Sequence, residues 1–404
     1  MTMPPRALLL GRHPDAVFLA VALAESGLLE LAAYVGPPNE AERWQGRGWS
    51  VTLHRDLETA LALPGIDWII AGDDLTHRPV SLRRALQSER HVFLAHPADL
   101  EPDICYEALH ILGDTRKRLA PLLPQRTTGV FRQLGQFLQG TELGLVQRVE
   151  MEIAFAPPPD WESHPLMDLW HWLRLAGGEI AELTALTAEA EEATPVGVLT
   201  LSGRFQAGAF FQVVLTPTPQ SPAGSERVRL TLRGERGLCT LDLPAGWYGP
   251  GSFLASSGAA SERREEWPAT SRPDALLQLA RETLAGQGPV TWTDATRCLE
   301  LFSAVRRSVR RRRIVVLEYE SFGEVGNFKS AMTALGCGVL LLIMILFFAT
   351  PTVPWLKWLI VPLLLLFLGL QGLRWLARDE PEVSSASAQG SDEGSAEGGA
   401  KASV

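Results

Sequence analysis

The segment Ala331–Ala349 runs for 19 residues without a charged side chain. A helix needs about 20 apolar residues to cross the hydrocarbon core of a bilayer, and this run meets that length. Thr350–Pro354 follows as a tight proline-containing loop, and Trp355–Leu376 is a second apolar run. It carries Pro362 in its interior, which membrane helices tolerate, and Arg374 near its end can snorkel to the interface. Trp355, Trp358 and Trp375 fit interfacial anchors. These features read as a two-helix transmembrane hairpin over 331–376 (helices 331–349 and 355–376); the other reading is a buried hairpin in a soluble core. Lys329, Arg374 and Arg378 flank the outer ends, and Lys357 alone is near the connecting loop. The positive-inside rule then puts the soluble domains and both termini in the cytoplasm, at an inner (cytoplasmic) membrane. Arg306, Arg307 and Arg310–Arg313 come shortly before the hairpin. Each could gain about 1 kcal/mol from an anionic leaflet, or the group could be a solvated helix end paired with the helix dipole. Residues 318–330 read as a linker. Residues 377–404, rich in Ser, Gly, Ala and Glu, read as a disordered tail.

The rest of the chain is ordinary globular material. Lys plus Arg is 37 and Asp plus Glu is 46, a net charge of -9. That balance argues against nucleic acid as a partner, because phosphate binding needs a basic face. Cys105, Cys239, Cys298 and Cys337 are far apart and form no CxxC pair, so the expectation is reduced thiols and no metal set of the usual spacing. Arg6 is followed only by Ala7–Leu10 before Gly11, Arg12 and His13 break the run, which does not read as a secretory leader.

Residues 1–120 alternate strands and helices. Ala7–Leu10, Leu31–Val35, Asp67–Ala71 and His91–Leu94 are short apolar strand candidates. Asp15–Leu29, Leu57–Leu63 and Val80–Gln87 have helical spacing between them. This rhythm predicts a Rossmann-like, doubly wound parallel sheet with helices on both faces. Residues 120–145 look helical. Residues 121–317 then change pattern and form a second, α+β domain. Val146–Ala156 alternates through Val149, Met151, Ile153 and Phe155, and Val198–Phe205, Ala209–Leu215, Val228–Leu232 and Leu238–Leu243 are further strands. Tight turns between them predict mainly antiparallel pairing. Helices Asp274–Ala285 and Ala295–Arg310 and a short strand Ile314–Leu317 close the domain; Cys298, Leu301, Phe302, Val305 and Val309 share one face of the second helix.

Several stretches, in this order, carry a resemblance. Asp56-Leu57-Glu58 with Pro64–Ala71, then His77, His91–Pro97, Thr141–Phe155, Arg204–Leu215, Arg233–Leu241 and Asp274–Arg313 follow one another along the chain. Together they resemble the glucose-fructose oxidoreductase / inositol dehydrogenase / MocA family over about three quarters of the sequence. The resemblance implies a Rossmann domain that carries NAD or NADP. A second domain would shape a site for a sugar-like or cyclic polyol substrate, with hydride moving between carbinol carbon and nicotinamide. It also implies a lysine in an E-K-P motif, a histidine on the first helix of the second domain, and a homo-oligomer paired through the second-domain sheets.

The functional positions depart from that pattern. A dinucleotide fingerprint is G-x-G-x-x-G, with glycines for the turn, for approach to the pyrophosphate and for helix packing. Here the segment is Gly11-Arg12-His13-Pro14-Asp15-Ala16. Only the first glycine is kept, Pro14 lacks an N–H, and Asp15 either brings negative charge to the diphosphate position or caps the following helix. The ribose acid expected 20–25 residues on is replaced by Gly36. Arg12, His13, Asp73 and His77 remain as candidate cofactor contacts beside Gly11. The E-K-P position reads Ala95-His96-Pro97, and His96 could do acid–base work near neutral pH. Counting back from Gly178-Glu179 puts Asp168 where the family has histidine, with His164 and His171 on its two aspartates. His164, Asp168 and His171 at i, i+4 and i+7 share one helical face. That face could serve proton transfer or line a domain interface, and its spacing also admits a metal reading. The expectation is therefore a membrane-anchored, oxidoreductase-like homologue with degenerate cofactor and catalytic motifs, a pseudoenzyme. The alternative is an active NAD(P)-dependent dehydrogenase with a non-standard site.

Overall fold

The computed structural model describes residues 4–37, 44, 47, 49–113, 115, 117–155, 164–187, 198–218, 226–257 and 260–319. The hairpin at 331–376 and the tail at 377–404 lie outside the described residues, as does the linker apart from 318 and 319. Among the described residues no helix is long and apolar enough to cross a membrane.

The N-terminal half builds a six-stranded sheet from β1 (Arg6–Gly11), β2 (Glu30–Val35), β3 (Thr52–His54), β4 (Trp68–Gly72), β5 (His91–Ala95) and β6 (Leu119–Leu122). All neighbours are parallel, in the order β3-β2-β1-β4-β5-β6, which is the doubly wound dinucleotide-fold order. The crossovers include α1 (Pro14–Glu25), α2 (Leu57–Leu61), α3 (Arg78–Gln87) and α4 (Asp103–Gly113). Central strands covered on both sides read as unbroken apolar runs. Leu8, Leu9, Leu10, Ile69, Ile70, Phe93 and Leu94 are accordingly buried.

Two details correct the expected elements. Residues 120–145 are not one helix: β6 is an edge strand beside β5, a 3-10 turn covers Pro124–Thr127, and α5 begins at Gly129 and ends at Gln139. Pro121 and Pro124 remove the N–H groups a helix would need there, and an edge strand tolerates such a residue. Helix α1 ends at Glu25 instead of Leu29, because Gly27 turns the chain at φ +67°.

The second sheet has nine strands. They are β7 (Val146–Phe155), β8 (Ile180–Thr187), β9 (Leu199–Phe205), β10 (Phe210–Pro217), β11 (Glu226–Gly234), β12 (Gly237–Leu243), β13 (Gly251–Ser257), β14 (Ala260–Trp267) and β15 (Val315–Val316). The order is β14-β13-β12-β11-β7-β10-β9-β8-β15. Pairing is antiparallel except that β10 runs parallel to β7, so the sheet is mixed. Val149, Met151, Ile153 and Phe155 point into the core, while Arg148 and Glu152 on the same strand are exposed.

Three helices link the two sheets: α6 (His164–Gly177), α7 (Arg272–Leu284) and α8 (Trp292–Arg311). Helix α7 leaves the second sheet and packs on α1 of the first domain. Leu276, Leu279 and Ala280 share one core cluster with Leu19, Ala20 and Leu23. The Thr127 hydroxyl donates to the Ala275 carbonyl at 2.8 Å, and Arg118 donates to the Thr283 carbonyl at 2.7 Å. This anchoring sets the first residue of α7 against the β1–α1 turn. Helix α8 starts with a Thr291/Asp294 capping box and is buried over most of its length, which fixes Cys298 deep in the structure.

Candidate functional site

The β1–α1 turn is that of a dinucleotide fold. Gly11 has φ +75°, and a Cβ there would lie 2.3 Å from the Gly72 carbonyl oxygen. Gly72 in turn leaves no room for a Cβ, which would sit 2.4 Å from that of Ala16. The turn and the helix–sheet contact therefore survive. The cradle does not. His13 stands at the second glycine position, and its Nδ1 accepts from the Asp15 backbone N–H at 3.3 Å. Asp15, only 3% exposed, meets Arg272 in a two-pronged ion pair with both N–O distances at 2.7 Å.

A helix N-terminus attracts anions because its first N–H groups are unpaired and its dipole is positive there. In this chain the anion is its own carboxylate, held by the first residue of α7. Burial works against the Arg272 charge, but hydrogen bonding to Asp15 outweighs it and holds the guanidinium above its ordinary range. The ribose position is closed as well. A Cβ on Gly36 would lie 2.1 Å from the Tyr34 hydroxyl oxygen, so an acidic side chain there would require the Tyr34 ring to move. The residues at both contacts that define the dinucleotide site do not fit the cofactor in the usual manner.

Beside this pair lies a cleft of about 180 Å³ lined by His13, Arg78, His96, Gln125, Asp168 and Arg272, among others. Arg78 is buried and donates to the Asp73 carbonyl through Nε and Nη2 and to the Pro97 carbonyl through Nη1, tying the ends of β4 and β5 together. Burial lowers its pKa to about 10. Burial also raises the pKa of Asp73. His77 and Asp74 form an exposed pair at 2.8 Å, and Arg12 is exposed. Of the expected cofactor contacts, only His13 therefore lines the cleft.

The expected catalytic residues divide between two places. His96 and Asp168 line the cleft. His171, three residues beyond Asp168, is 2% exposed and faces Cys298 of α8, with its Nε2 3.3 Å from the sulfur. The backbone of His164 begins α6. The face predicted from the His164, Asp168 and His171 spacing is thus split: Asp168 borders the cleft and His171 enters the core. His96 joins the two regions. Part of its ring borders the cleft, its Nε2 is sealed from solvent with no hydrogen-bond partner, and its ring centroid is 6.4 Å from that of His171.

Ligand atoms of His96, His171 and Cys298 all lie within 4.8 Å of one another, and among the described residues they are the group able to hold a metal ion. The sequence holds no metal set of the usual spacing, and this group has none. Three elements remote in sequence supply the residues, and no spacing rule can find such a set. Burial, then the charges of Arg78 and His13, push the His96 pKa down to about 3. His171 is lowered well below its ordinary value, first by burial and then by Arg126 and His96. Burial raises the Cys298 thiol. Asp294, one turn before Cys298, binds Arg126 at 2.6 Å and Arg174 at 3.0 Å, and Arg174 also binds Glu179 at 2.6 Å. Burial opposes the Asp294 charge, but Arg126 and the other partners hold its pKa below the usual carboxylate range.

The sequence matches no protein-family model and no curated protein. Solved structures match its fold. One is the WlbA dehydrogenase of Chromobacterium violaceum, in complex with NADH and UDP-GlcNAcA, at 17% identity and TM-score 0.65, covering 80% of this chain and 98% of that one. Another is the aldose-aldose oxidoreductase of Caulobacter crescentus, complexed with glycerol, at 19% identity and TM-score 0.64, with 78% and 100% covered. A third is an oxidoreductase of Agrobacterium radiobacter in complex with NAD+, L-tartaric acid and magnesium, at 15% identity and TM-score 0.65, with 78% and 98% covered. The chain therefore shares the fold of these dehydrogenase and oxidoreductase structures.

Proposed function

We propose that this chain is a membrane-tethered, oxidoreductase-fold protein that no longer performs NAD(P) hydride transfer and keeps the cleft between its two sheets for a small polar ligand. One observation carries this reading. The Asp15 carboxylate and its Arg272 partner fill the helix N-terminus where a pyrophosphate would have to bind. A diphosphate arriving there would have to displace the Asp15 carboxylate from Arg272, and breaking a buried pair leaves a charge without compensation. The cleft volume of about 180 Å³ also falls below the roughly 300–1,000 Å³ of sites for drug-sized ligands. Arg78, His13 and Gln125 suit a hydroxylated, sugar-like or carboxylate ligand instead. The second reading, an active NAD(P)-dependent dehydrogenase with a non-standard site, draws on His96. It borders the cleft where the resemblance expects the lysine.

The hairpin at 331–376 belongs to the same proposal. It would hold both soluble domains on the cytoplasmic side of the inner membrane, with pairing of chains through the open face of the nine-stranded sheet. Alkaline carbonate washing of membranes tests the tether, and release of the full chain into the supernatant would exclude it.

The deciding experiment for the cofactor is a fluorescence titration of the full chain in detergent with NADH and NADPH. The expected result is no saturable binding up to millimolar cofactor. A dissociation constant in the micromolar range, about -8 kcal/mol of binding free energy, would overturn the reading and revive the dehydrogenase.

A further inference from the structure

We propose that His96, His171 and Cys298 form a zinc site with two imidazole nitrogens, one thiolate and an open fourth position. Each residue comes from a different element: His96 from the end of β5, His171 from α6 and Cys298 from α8. Imidazole with thiolate suits zinc and copper and disfavours magnesium and calcium, which prefer oxygen; zinc is the one proposed, and metal analysis separates it from copper.

The geometry is close to what the ion needs. Bond lengths of about 2.0–2.1 Å to nitrogen and 2.3 Å to sulfur at tetrahedral angles put N and S about 3.6 Å apart. The His171 Nε2 to Cys298 Sγ distance is 3.3 Å, and all three ligand atoms lie within 4.8 Å. The sulfur also lies 3.7 Å from His171 Nδ1, so the ring must turn for Nε2 to share an ion with it.

A second observation points to a ligand. The His96 Nε2 is sealed from solvent and has no hydrogen-bond partner. A buried polar atom without a partner has given up its hydrogen bonds to water unrepaid, and a metal ion would satisfy it. Arg78, held by backbone carbonyls, places a positive charge near His96 that the bound thiolate would have to offset, whereas the two arginines near His171 are paired. Arg126 and Arg174 are neutralised by Asp294 and Glu179 through ion pairs of 2.6–3.0 Å. Among the described residues no fourth His, Cys, Asp or Glu joins the group, so the remaining position is left to water or to an oxygen of a ligand in the cleft that His96 borders. Sites with three protein ligands and one exchangeable position are of the catalytic type. Binding forms the Zn–S bond and releases the Cys298 thiol proton to solvent.

The test uses the full chain in detergent, purified without a histidine tag. Metal content is measured by plasma mass spectrometry. The protein is then stripped with a chelator and reloaded with cobalt(II). About one equivalent of zinc per chain is expected, with a thiolate-to-cobalt charge-transfer band in the ultraviolet and strong ligand-field bands in the visible. Cys298→Ser removes the charge-transfer band, and His171→Gln lowers zinc affinity by at least about 100-fold, the upper range for losing only a supporting contact to a ligand. Cys239→Ser, a buried thiol on β12 outside the cluster, leaves both unchanged. Substoichiometric zinc together with no thiolate band on cobalt addition to the unsubstituted protein would overturn the proposal, whatever the variants do. A thiolate band that survives Cys298→Ser would overturn it too.

Discussion

Replacing Arg272 by methionine tests the central feature of the site. Asp15 is 3% exposed and takes two hydrogen bonds of 2.7 Å from one guanidinium. Removing the partner of a fully buried pair costs about 3–5 kcal/mol, because a charge is left without compensation. Two effects reduce that figure here. The Arg272 side chain is 32% exposed, so water can follow it into the gap. The positive end of α1 also returns about 0.3–1 kcal/mol to the stranded carboxylate. The expected loss is therefore about 2–3 kcal/mol. Chemical denaturation of the full chain in detergent measures it, as a lower midpoint at unchanged m-value. Asp15→Asn and the double variant complete a cycle, with a coupling energy of about 1.5–3 kcal/mol expected for groups in direct contact. A loss under about 0.5 kcal/mol, or strict additivity, would show that the pair contributes nothing. The argument that the pyrophosphate position is closed would then fail.

Two further predictions concern the histidines and the sheet. In metal-free protein His96 has its pKa pushed down to about 3 from an ordinary 6.5. Between those values the unfolded chain binds a proton that the folded chain refuses, so stability falls as the pH falls, by up to about 1.4 kcal/mol per unit. His96→Gln should flatten that slope between pH 6.5 and 5 in denaturation experiments, and identical slopes would contradict a neutral, sealed ring. Gly72→Ala would force a methyl group to within 2.4 Å of the Ala16 Cβ and 3.1 Å of the His13 Cβ. Both atoms are fixed to backbone and cannot rotate away, so a loss of about 1–3 kcal/mol is expected on denaturation, and unchanged stability would refute the close strand–helix approach.

Local pattern was enough for much of the architecture. Unbroken apolar runs such as Ala7–Leu10 and Trp68–Ala71 are best buried on both faces, and helical spacing between them leaves a parallel sheet as the consistent arrangement. The alternation through Val149, Met151, Ile153 and Phe155 marked a one-sided strand for the same reason. Strands β3, β8, β13 and β14 were not anticipated; in β14 the five consecutive charged residues Glu262–Glu266 leave no apolar alternation to read. That His13 stands where a fingerprint has its second glycine, and Gly36 where it has its acid, was legible in the sequence, since those positions are tied to the turn by sequence distance.

What stands at those positions, and what it meets, was decided by tertiary structure. Asp15 and Arg272 are 257 residues apart, and they meet because α7 buries Leu276, Leu279 and Ala280 against α1. His171 and Cys298 are separated by 127 residues. Their contact depends on where two helices cross, and helix crossing is fixed by packing, not by periodicity. Periodicity could assign Cys298 to an apolar face. Only the packing of α6, α8 and the end of β5 brings a thiol and two imidazoles to one buried point.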